Sequence, residues 1–81
     1  MPTIETIRRW IKMGIEAHQT HLIILHDPGA EIDHPRYVDE TENIRLVEED
    51  LRGREDKHIE EIYDLSGDIE MQLAALRSFH R

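Results

Sequence analysis

The chain has 81 residues, no cysteine and a formal net charge of −8. That length allows one domain with a modest core, of the size that often gains buried area by dimerising. The absence of cysteine excludes a disulfide framework, a thiolate zinc site and a cysteine nucleophile, and fits a reducing cytoplasm.

Thr3 to about Ala17 reads as a helix. Ile4, Ile7, Ile11 and Ile15 recur at three- and four-residue spacing and form one apolar stripe. Thr3 suits the N-cap and Glu5 the positive end of the helix dipole. Trp10 flanks the stripe, where it covers a sheet edge or a dimer contact. Gly14 interrupts the helical pattern, and its expected use is a close approach of helix to sheet.

Thr20 to His26 reads as a strand, and four consecutive apolar residues, Leu22-Ile23-Ile24-Leu25, make it the centre of the fold. Leu22 and Ile24 point to one side and Ile23 and Leu25 to the other, so both faces need a cover. Residues 27–35 hold two prolines and one glycine and read as an irregular loop. Arg36-Tyr37-Val38 is then a short second strand in an antiparallel hairpin. Asp39 to Leu51 reads as a second helix, with Thr41 as cap, Glu42 in the first turn, Ile44, Val47 and Leu51 as the stripe, and Gly53 as a left-handed terminator. Lys57 to Leu65 carries both periods: Ile59, Tyr63 and Leu65 alternate as in a strand, while Ile59, Ile62 and Tyr63 also fit a helix. The strand is the preferred reading. Ser66 or Asp68 caps a last helix with Ile69, Leu73, Leu76 and Phe79 on its buried side. These elements predict an α+β fold: a small, mostly antiparallel three-stranded sheet with helices packed on it, in the order helix-strand-strand-helix-strand-helix, in a single domain over residues 1–81.

Trp10, Gly14 and Ile15, then Thr20-His21-Leu22-Ile23-Ile24, Asp27, Asp33, Pro35 and Tyr37-Val38, and later Tyr63-Asp64-Leu65-Ser66, Gln72-Leu73 and Arg77 together resemble a family of small uncharacterised proteins of bacteria and their phages. The family pattern is a tryptophan-led helix, then G-A-T-H-M-I-V-V-C-D, a short acidic loop, D-Y-P-V-Y-V, and a late V-Y-D-L-S. The resemblance spans most of the chain and is most specific from Thr20 to Val38. It implies the hairpin and the third strand, and no activity. His18 stands where the family has glycine, His26 where it has cysteine, and His34 where it has an aromatic residue.

No signal peptide is expected, because no basic segment is followed by an apolar run, and no apolar stretch reaches the roughly 18 residues of a membrane span. No dinucleotide, phosphate-loop, nucleophile-elbow or H-E-x-x-H signature is present, which weakens an enzymatic reading. The charge is uneven. Residues 1–38 carry four basic and five acidic groups, a balance of −1; residues 39–81 carry six and thirteen, a balance of −7. Direct nucleic-acid binding is disfavoured, and an acidic half is steered toward a basic protein surface, although acidity also serves plain solubility. The first functional expectation is therefore a non-enzymatic binding module of inhibitor or nucleic-acid-mimic type, with Glu48, Glu49, Asp50, Glu60 and Glu61 at the contact. The alternative is a metal- or small-ligand-binding protein using His26, Asp27, Asp33 and His34 around the loop after the central strand. The plainer account of that loop is a turn whose aspartates accept backbone hydrogen bonds. His21, His58 and His80 read as packing or surface histidines, and Tyr37 and Tyr63 as core aromatics with wet hydroxyls.

Overall fold

The computed structural model describes the backbone of residues 2–79 and the side chains of residues 2–75. Its elements run α1 (Ile4–Glu16), β1 (His21–Asp27), β2 (Ile32–Val38), α2 (Ile44–Arg52), β3 (His58–Asp64) and α3 (Ile69–Phe79). The three strands form one antiparallel sheet in the order β2-β1-β3. The predicted α+β architecture and element order therefore hold, and the ambiguous stretch is a strand.

Because β1 is central, all four apolar residues of its run are buried: Leu22, Ile23 and Ile24 expose nothing and Leu25 almost nothing. Alternation sends them into two separate cores. Leu22 and Ile24 join Ile7 and Ile11 of α1, Tyr63 of β3, Leu65 just after it, and Leu73 of α3. Ile23 and Leu25 join Val38 and Leu51, with Ile44, Val47, Ile59 and Ile62 around them. The sheet is thus sandwiched between α1 and α3 on one face and α2 on the other. The side chains of Leu76 and Phe79, and His80 altogether, lie outside the described residues.

Helix α1 starts where the sequence places it: the Thr3 side chain accepts the amide of Thr6. Its stripe is one residue shorter than expected. Ile15 is exposed, and the buried positions are Ile7, Ile11 and Gly14. A Cβ on Gly14 would stand 2.7 Å from both Leu65 Cδ1 and Tyr37 Cε1, so only glycine lets the helix lie this close. Trp10 packs beside this core, and its carbonyl accepts the Tyr37 hydroxyl at 2.6 Å, pinning α1 to the edge strand β2. After α1 the chain turns through His18, whose φ of +58° is left-handed. Its amide donates to the Ile15 carbonyl and that of Gln19 to the Gly14 carbonyl, the paired bonds of a Schellman terminus. The corner thus keeps a shape that glycine favours, although histidine occupies it.

Three boundaries differ from expectation. Strand β2 begins at Ile32, so Asp33, His34 and Pro35 are strand and the loop shrinks to residues 28–31. Pro35 sits opposite Ile24 on an edge strand, where a missing N–H is tolerated. Helix α2 starts at Ile44 with Asn43 as its cap, because Asp39 captures both the amide and the hydroxyl of Thr41 in a preceding turn. Gly53 closes α2 with φ −78°, a right-handed conformation and not the left-handed one expected. At the far end the Asp68 carboxylate accepts the Met71 amide, so Asp68 caps α3. Ser66 is instead held by Asp64, through amide and hydroxyl. No helix among the described residues is long and apolar enough to cross a membrane.

Candidate functional site

The polar end of β1 is where the three strands bring charged groups together. His26 is the next residue on the Leu22–Ile24 face, and it stands opposite Asp33 of β2. Its Nδ1 lies 2.9 Å from Asp33 Oδ1. The third member comes from β3. Pairing runs Ile24 with Glu61 and Leu25 with Ile59, so Glu60 is the extra residue of a β-bulge. A bulge re-aims side chains, and here it delivers Glu60 to the same face. One ligand-capable atom from each of His26, Asp33 and Glu60 lies within 4.8 Å of the others, and all three side chains are half-buried. The two carboxyls titrate as a pair. A hydrogen bond from Glu60, and after it one from His26, lower Asp33 to about 2 against the cost of burial. Burial, then the neighbouring Asp33, raise Glu60. Asp33 is therefore the ionised member and Glu60 the more readily protonated one.

Of the four loop residues expected to gather, the structure unites two. Asp27 turns away, and its Oδ1 accepts the amides of Gly29 and Ala30 at 3.0 and 3.2 Å, the plain turn role. His34 stands opposite Leu25, hence on the other face of the sheet. There it lines a groove of about 330 Å³ beneath α2 with Arg36, Val47, Asp50 and Lys57. The sequence places Glu60 among the partner-contact acids and not in this cluster. The period-two alternation of the strands was available to separate Asp27 from His26 and His34 from Asp33. The bulge that adds Glu60 has no comparable sequence signal.

The five expected contact acids divide as well. Glu48, Glu49 and Asp50 ride on α2, interleaved with Arg45 and Arg52, which leaves that helix at −1. Glu48 is moreover paired with Arg52 at 2.7 Å. Glu60 and Glu61 belong to β3, and Glu61 stands opposite Ile24, on the face away from α2. Around β3, residues 58–70 hold five carboxylates and no lysine or arginine. Glu70 is neutralised by a bidentate contact with Arg8. The Asp64 carboxylate accepts the Ser66 amide and hydroxyl, contacts that hold it below its usual range, and the Asp68 carboxylate accepts the Met71 amide. Strand β3 is also an edge of the sheet. Its last residue is closed off by Gln72, whose side-chain amide accepts from the Asp64 N–H at 2.8 Å and donates to the Asp64 carbonyl at 2.9 Å.

The remaining candidates take structural roles. His21 Nδ1 lies 3.0 Å from the Thr20 hydroxyl at the start of β1. The hydroxyls of the tyrosines are not wet. That of Tyr37 is bonded to Trp10, and that of Tyr63 is buried without a hydrogen-bond partner among the described residues. Burial and, secondarily, Glu61 push the Tyr63 phenol up to about 12. Comparison with protein-family models, with curated proteins and with solved structures gives no match.

Proposed function

We propose that the protein is a small, non-enzymatic binding module that engages a basic protein surface through the acidic side formed by β3 and the start of α3. The observation that carries this reading is that the run from His58 to Glu70 holds no lysine or arginine and sets Glu61 and Asp64 on β3, an edge of the sheet, and Asp68 at the start of α3. Like charges gathered along one edge of a sheet create a field that steers an oppositely charged partner and raises its association rate. An edge strand adds unpaired backbone groups that an extended segment of a partner can engage. The acids of α2 contribute less, because their arginines answer them within the same helix. The kind of module is an inhibitor or a nucleic-acid mimic.

The test is a pull-down read by mass spectrometry with three baits: the wild-type chain, a Glu61→Gln/Asp64→Asn variant, and a Glu48→Gln/Glu49→Gln/Asp50→Asn variant. The reading predicts a basic protein that the α2 variant retains, the β3 variant loses, and raised salt releases from the wild type. Equal capture by all three baits, or no basic protein among the captured ones, would contradict it.

A further inference from the structure

We infer that His26, Asp33 and Glu60 form a binding site for one divalent transition-metal cation, with Zn²⁺ preferred over Mn²⁺ and Mg²⁺. The argument starts from the backbone. Three adjacent strands each supply one donor, and strands are stiff supports for a coordination site. His26 and Asp33 face each other across the β1–β2 ladder, and the β3 bulge brings in Glu60 from the other side. Within a tetrahedral zinc shell, bonds of roughly 2.0–2.1 Å hold neighbouring ligand atoms roughly 3.3 Å apart. His26 Nδ1 and Asp33 Oδ1 are already 2.9 Å apart, and the full set lies within 4.8 Å. Small rotations of half-buried side chains, with no strand displaced, bring all three onto one ion.

The donor chemistry selects the class. One imidazole nitrogen and two carboxylate oxygens suit a borderline cation such as zinc better than magnesium or calcium, which take oxygen alone. Two ionised carboxylates would match the charge of a divalent ion, so metal binding releases the proton that Glu60 shares with Asp33. Three protein ligands leave a fourth position for water or for a donor from a partner. This site is independent of the acidic-surface reading, since metal titration needs no protein partner.

Isothermal titration of the full chain with ZnCl₂, MnCl₂ and MgCl₂ tests it, with His26→Asn, Asp33→Asn and Glu60→Gln as ligand variants and Asp27→Asn and His34→Asn as controls. The expected result is one zinc per chain, weaker manganese, no magnesium heat, at least about a tenfold loss in each ligand variant and little change in the controls. Variants that fail to fold are bypassed by an amide spectrum of the wild type with substoichiometric Mn²⁺, in which line broadening should centre on residues 26, 33 and 60. Absence of zinc binding, equal losses in the controls, or broadening centred on α2 would overturn the assignment.

Discussion

Strand β1 sends Leu22 and Ile24 to one side and Ile23 and Leu25 to the other, and the two sides are closed in different ways. The first is boxed in by two helices. One lies so near the sheet that Gly14 has no room for a methyl group, and the Tyr37 hydroxyl ties that helix to β2. The second is covered by α2 alone, nine residues long, with Leu51 its one fully buried side chain and Leu46 left 63% exposed. The first face ends, past Ile24, in the His26–Asp33–Glu60 cluster; the second opens into a shallow groove lined by cations and one acid. An identical apolar demand on both sides of one strand is thus met by two helices, one in close approach, or by a single short helix. The doubly covered side is the one that ends in the polar cluster.

The comparison breaks most visibly at the core. Ile24→Ala and Ile23→Ala remove the same atoms from two fully buried positions on opposite faces. A cavity costs more where its walls cannot collapse. We expect Ile24→Ala to cost about 4 kcal/mol and Ile23→Ala about 3 kcal/mol in urea unfolding. Equal costs, or the reverse order, would show that α2 is as rigid a cover as α1 and α3. Next in size is Gly14→Ala. Alanine would gain about 1 kcal/mol as the better helix former, but its methyl group meets Leu65 and the tethered ring of Tyr37. A net loss of about 2 kcal/mol is expected in the same assay. A gain would mean that the close approach of α1 is not a constraint. The smallest effect is a stabilisation. His18→Gly relieves a left-handed residue at the end of α1 and should raise stability by about 1 kcal/mol. An unchanged or lower melting temperature would point to a contact that the histidine makes in compensation.

The sequence showed the frame where one physical cause dominated. Four apolar residues in a row demanded a central strand covered on both faces, and the isoleucine spacing of residues 4–11 demanded a helix beneath it. It misplaced elements where two causes compete. Pro35 argued against a strand, yet an edge position removes the objection. Thr41 is a good cap by type, yet Asp39 occupies its hydroxyl and amide, and Asn43 caps instead. Half of the loop cluster was legible, since His26 and Asp33 were both singled out. Asp27 and His34 drop out by strand alternation once Asp33-His34 is known to be strand. Glu60 depended on a bulge between positions set by pairing of distant segments, which no local pattern records. The acidic half was legible as composition. Its division between a helix that carries its own arginines and an edge strand without lysine or arginine needed the sheet order.

The proposed contact surface lies along β3 and the start of α3 and not on α2. An amide-resolved NMR titration of the wild-type protein with a ten-lysine peptide tests this most directly, because the probe has no shape to recognise and reports the field alone. Salt-sensitive shifts concentrated on Glu61, Asp64 and Asp68, with α2 nearly silent, are the expected result. Shifts centred on Glu48, Glu49 and Asp50 would contradict it.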